Sequence, residues 1–183
     1  MSCGGDSSTT ATPIPDPIPL PVISFSISDA PSDSVSSVNV TFSSITLKST
    51  GDDDDDDSGL DLPILDNDGN PSTMTIDLMA YQNGDQKLII DNIEVAAGEY
   101  QNLILNTSGC PQNHNGSAEF CWVVDGTGIK TLKTPSNKLK LGPFNVTTDS
   151  EQSYTIEFNL RSSMTSTANG ASYNLKPHGI RIV

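Results

Sequence analysis

Residues 154–160 read Tyr154-Thr-Ile-Glu-Phe-Asn-Leu160, and this stretch decides the fold class. Tyr154, Ile156, Phe158 and Leu160 alternate with Thr155, Glu157 and Asn159. A period of two puts successive side chains on opposite faces of an extended chain, so it specifies a strand with one buried and one wet face. The same period recurs in both directions. Ile23, Phe25 and Ile27 alternate with serines, and Val38, Val40 and Phe42 alternate with Asn39 and Thr41. Ile45 and Leu47 follow in the opposite phase, which predicts a bulge near Ser43-Ser44. Further short runs are Met74–Leu78, Leu88 with Ile90, Ile93 with Val95, Leu103 with Leu105, Phe120–Val124, and Ile180 with Ile182. Turn signals separate them: Asn83-Gly84, Ala97-Gly98, Asp125-Gly126, Gly142-Pro143, Asn169-Gly170 and Lys176-Pro177. Many short strands without a long helical period predict an all-β, two-sheet antiparallel β-sandwich of immunoglobulin-like type. Short helical turns are expected near 78–82 and 161–167. The long break from Thr50 to Ser72 reads as an exposed loop.

Composition agrees with strands and turns. Apolar residues are 34% of the 183, below the roughly 45–50% usual for globular chains with glycine counted. One domain over residues 22–183 could bury on the order of 70% of its unfolded surface, enough for a core without metal. The net charge of −14 argues against nucleic acid and anionic membrane faces, which need clustered Lys and Arg. Divalent cations are the natural counter-ions, and solubility alone is the other reading of the acidity. No window holds the ~18 apolar residues of a membrane span, so a membrane would be reached only through a lipid anchor.

The first 21 residues read as a tether. Cys3 is followed by small polar residues, like the start of a mature bacterial lipoprotein, and is the expected lipidation site. Residues 4–12 should be a flexible coil. Pro13, Pro15, Pro17, Pro19 and Pro21 fix φ at alternate positions and bias their neighbours to extended backbone, so residues 13–21 should be a stiff spacer of roughly 3 Å per residue. The expected location is therefore exported, at a cell surface or outer membrane. Cys110 and Cys121 flank a turn-rich loop containing Asn115-Gly116. A disulfide suits that spacing and an oxidising compartment; a metal site with His114 matches no familiar zinc pattern.

Residues 51–70 form an acidic loop. Asp52, Asp53, Asp54, Asp55, Asp56 and Asp57 are consecutive carboxylates that repel one another. Asp66, Asp68 and Asn70 recur at alternate positions around Gly69, a fragment of a calcium-loop pattern that lacks its terminal Glu. The loop reads either as a solvated segment or as a weak calcium site, with Ser72 or Asp77 as further ligands.

Catalytic equipment is sparse. The histidines are His114 and His178, and no nucleophile elbow, zinc-protease helix motif, phosphate loop or dinucleotide fingerprint is present. The chain reads as no enzyme. Arg161 reads as a structural ion-pair residue. Trp122, Tyr81, Tyr100, Tyr154 and Tyr173 are the aromatic residues that could stack on sugar rings. Trp122 and Tyr154 lie in phase with core residues, so Tyr81, beside Gln82 and Asn83, is the expected exposed ligand contact.

Six segments carry a family resemblance: Phe25–Pro31, Ile76–Gly84, Ala97–Tyr100, Thr134–Ser136, Phe158–Ser162 and Leu175–Pro177. Their order resembles the domain-of-unknown-function family DUF4382 of exported bacterial and archaeal lipoproteins, across residues 22–183. The resemblance implies a prealbumin-like or carbohydrate-binding-like β-sandwich and supplies no catalytic residues. The family pattern often has Asp where this chain has Asn159, so a site needing that carboxylate is in doubt. The expectation is a non-enzymatic surface domain for binding or adhesion to a glycan or matrix protein, with calcium as the cofactor if any. The alternative is a structural subunit that self-associates into an extracellular matrix or filament.

Overall fold

The computed structural model describes residues 3–5, 12–30, 35–51, 59–110 and 121–183. In chain order the strands are β1 (Val22–Asp29), β2 (Ser37–Ser49), β3 (Leu60–Pro63), β4 (Met74–Asp77), β5 (Lys87–Glu94), β6 (Gly98–Thr107) and β7 (Trp122–Asp125). They continue as β8 (Gly128–Lys133), β9 (Lys138–Leu141), β10 (Phe144–Val146), β11 (Glu151–Phe158), β12 (Met164–Thr167), β13 (Ser172–Leu175) and β14 (Ile180–Ile182). A 3-10 turn at Leu78–Ala80 falls where the sequence predicts one; of the turn expected near 161–167 only the start is helical, in α1 (Leu160–Ser163), and Met164–Thr167 is strand β12.

The strands make two packed sheets. The 4-stranded sheet has the order β14-β11-β1-β5, and the 10-stranded sheet runs β10-β6-β2-β7-β8-β13-β12. β3 and β4 pair with β2, and β9 with β6. Alternation explains the core between them. Ile23, Phe25, Ile27, Ile156 and Phe158 of the smaller sheet are all fully buried against Val38, Val40, Phe42, Leu103 and Leu105 of the larger. Phe158 meets Phe42 across the sandwich at a ring separation of 6.2 Å. Burying each such side chain contributes roughly 1.5–3 kcal/mol. The bulge expected near Ser43-Ser44 is present: the β2–β6 register shifts between Phe42 and Ser44, carrying Ile45 and Leu47 back onto the core face.

The structure differs from the sequence expectation in three further places. The sheets are mixed, since β1 runs parallel to β11 and β13 parallel to β8. Parallel neighbours need long crossovers, and the intervening chain supplies them by passing through the other sheet. The Thr50–Ser72 segment is not all loop. Leu60–Pro63 pairs with β2, and Leu62 and Ile64 are buried; as an edge strand β3 tolerates Pro63. In β5, Ile89 and Ile90 are both buried while Leu88 is 46% exposed. Register shifts against β1 and a left-handed Asn92 (φ 49°) break the alternation that paired Leu88 with Ile90.

Pro21 is the docking point of the N-terminal segment. Its carbonyl accepts the Val95 amide at 3.0 Å, and the Val22 amide donates to Ser150 O at 3.0 Å. Residues 12–20 carry no regular secondary structure and are exposed.

Candidate functional site

One end of the sandwich carries a groove built on aromatic rings. The β2–β6 register shifts again between Lys48 and Ser49, skipping Gln101 and turning Tyr100 inward. Tyr100 is 6% exposed, and its hydroxyl donates to Ala96 O at 2.7 Å. Burial pushes this phenol above its ordinary pKa. Across the ladder Phe144 of β10 faces Tyr100, their rings stacked at 5.3 Å and 20°. Phe25 and Tyr154 complete the cluster, stacked on each other at 5.6 Å, with Tyr154 edge-on to Phe144 at 5.6 Å. The Tyr154 hydroxyl donates to Asn145 O at 2.9 Å and so ties β11 to β10. Above the Tyr100–Phe144 pair lies an open groove of about 560 Å³, lined by Thr50, Glu99, Gln101, Pro143 and Asn145 as well. Its lining combines flat apolar rings with amide, hydroxyl and carboxylate groups, the mixed chemistry of a small-molecule site.

A second feature lies at the other end of β1. Asp29 continues the odd-numbered, inward phase of Ile23, Phe25 and Ile27, and it is only 4% exposed. Gln82 Nε2 donates to its Oδ2 at 2.9 Å, while Oδ1 is buried and completes no hydrogen bond among the described residues. Burial raises the carboxyl pKa from 3.8 to about 6, against the lowering effect of Gln82 and the nearby Leu160 and Ala30 amides; Glu157 adds repulsion. Four of the segments that carry the family resemblance meet here. The Asp29 amide donates to Tyr81 O at 2.8 Å and the Ala30 amide to Phe158 O at 2.7 Å. The Asn159 amide reaches Gly179 O, and the Lys176 amide reaches Ser163 O. Gly179 has φ +83°, and a Cβ there would stand 2.6 Å from the Ser162 Cβ.

The structure scatters the residues singled out by sequence. Cys110 and Cys121 form the disulfide, both buried, with Cα atoms 5.4 Å apart. Cys3 is exposed and unbonded. Tyr81, expected to be exposed, is half-buried and packs on the core. Asp66 spends its Oδ1 on its own turn, accepting the amides of Asp68 and Asn70 at 2.9 Å each. Among the described residues no group of three or more His, Cys, Asp or Glu is placed to hold a metal. Asp52–Asp57, His114 and Phe120 lie outside the described residues. Trp122 is half-buried, and the Tyr173 hydroxyl is held by Asp125 Oδ2 at 2.7 Å. His178 is exposed. Glu157 pairs with Arg181 at 2.5 Å.

Sequence reasoning passed over Phe144, Glu99, Gln101 and Asn145, because the bulge that assembles the groove leaves no mark in the hydrophobic pattern. Asp29 did carry a signal: it stands in phase with three core residues.

A family model described as a domain of unknown function (DUF4382) matches residues 22–177. No curated protein and no solved structure matches the chain.

Proposed function

This chain belongs to the DUF4382 family, and from that premise we propose that it is a non-enzymatic surface domain that binds glycan, held off its anchoring surface by the residue 1–21 tether. The observation that carries the reading is the groove over Tyr100 and Phe144. A sugar ring offers an apolar C–H face and a rim of hydroxyls. The half-buried ring of Phe144, backed by the buried Tyr100, suits the first, and the exposed Glu99, Gln101 and Asn145 suit the second. The free, exposed Cys3 supports an anchored form, and the disulfide suits an oxidising compartment.

The test is a glycan array, with and without calcium, using wild type and the Glu99→Ala/Gln101→Ala double variant. Both side chains are exposed, so the variant should keep the fold. The expected result is a defined saccharide class bound by wild type and roughly tenfold weaker binding by the variant, about 1.4 kcal/mol. Silence toward every glycan in both conditions would refute the binding reading. Unchanged binding by the variant would refute the groove. Membrane fractionation of wild type and Cys3→Ala tests the anchor, which predicts release of the variant.

A further inference from the structure

We propose that residues 13–20 are a one-sided donor strand that pairs with the β14 edge of a second copy of this chain. The prolines occupy every odd position from Pro13 to Pro21. Main-chain groups of successive strand residues point to opposite edges. At the start of β1 the odd carbonyl of Pro21 faces β5 and the even amide of Val22 faces the β11 side. Extended backward, the tether has no donor on its odd edge and a full set on its even edge, at Ile14, Asp16, Ile18 and Leu20. Such a segment pairs with one neighbour only, and its missing donors prevent open-ended stacking.

Side-chain phase says the neighbour is not its own sandwich. In β1 the fully buried apolar side chains, Ile23, Phe25 and Ile27, are odd-numbered and face the core. In the tether they are even-numbered, so a continued strand turns them away from that core. Ile14 and Ile18 are each 90% exposed and Leu20 is 49% exposed. A plain spacer needs no aliphatic side chains. Five prolines in nine residues also stop the segment from doubling back beside its own β14.

The tether enters the smaller sheet, whose two edges are β14 and β5. Among the described strands β14 pairs only with β11, through Gly179 and Val183 on one side, so the main-chain groups of Ile182 face outward. Beside it runs an apolar groove of about 240 Å³ between the sheets, lined by Leu141, Pro143, Ile180 and Ile182. Arg181 there is largely exposed; it is paired with Glu157 on β11, and its remaining guanidinium donors can also meet Asp16, the one charge in the donor segment. The β5 edge is a poorer acceptor: it is bulged and carries Asp91 and Glu94.

Sedimentation equilibrium of the full chain should show concentration-dependent association, lost in Ile14→Asp/Ile18→Asp, whose sites are too exposed to affect folding. A synthetic peptide of residues 12–21 should shift the amide resonances of Leu141 and Ile180–Ile182. N-methylation of Ile14 and Ile18 in that peptide should abolish the shifts, and Arg181→Glu should weaken binding. A chain that stays monomeric at all concentrations overturns the proposal. So does association that survives Ile14→Asp/Ile18→Asp, or peptide shifts confined to another edge.

Discussion

Asp29→Asn should stabilise the domain at neutral pH and leave it unimproved in acid. Folding lifts the Asp29 carboxyl from 3.8 to about 6 by burying it. The folded chain therefore holds this proton more tightly than the unfolded chain. Between these two values the unfolded state binds fewer protons, so this group's contribution to stability falls as pH rises and is fully lost above the folded pKa. One pH unit of displacement is about 1.4 kcal/mol, so ionised Asp29 costs the fold up to about 3 kcal/mol. The replacement amide carries no charge at any pH, and its carbonyl can still accept from Gln82. Urea unfolding of both proteins, run in parallel from about pH 3 to pH 8, cancels the other titrations they share. The difference between them should grow through the interval from 3.8 to about 6 and level off above it, in favour of the variant. In melting temperature the plateau corresponds to about 6–12 °C for a domain of this size. A difference that stays flat with pH would refute the argument. A difference that moves toward the wild type as pH rises would show that the carboxylate is a stabilised anion, the opposite of what its orphaned Oδ1 implies.

Two further outcomes follow from local geometry. Replacing both Cys110 and Cys121 by serine opens a loop of sequence separation 11 and should lower stability by about 3 kcal/mol in the chain-entropy model, read as a shift of the urea midpoint. Gly179→Ala should cost about 1–3 kcal/mol through its positive φ and its contact with Ser162; adding Ser162→Gly relieves the contact alone and should restore only part of the loss in a thermal melt.

Much of this fold was legible because alternation and burial are the same fact seen twice. Every inward position of Ile23–Ile27 and Val38–Phe42 is buried as its period requires, and even the β2 bulge left a phase change. Parallel pairing left none, since period two is the same for either strand direction. The candidate site was less legible for a related reason. Tyr100 reaches the groove through a bulge at Gln101, and Phe144 meets it through a pairing distant in sequence. Neither event alters the local pattern. The half-burial of Tyr81 was not legible, because polar neighbours mark a turn without saying how much of the ring is covered.

The placement of β1 also fixes how the domain would carry a load. A pull on the N-terminal segment would enter at Pro21, directly ahead of a strand held on both sides: all eight residues, Val22–Asp29, pair with β11, and β5 lies on the other edge. Tension along that strand shears its rungs together, whereas a strand peeled from an edge gives way one rung at a time. Resistance to such a pull is set by the rate of unfolding more than by equilibrium stability. The N-terminal segment thus ends on the strand best clamped within the smaller sheet, and traction along the proposed tether would be borne there first.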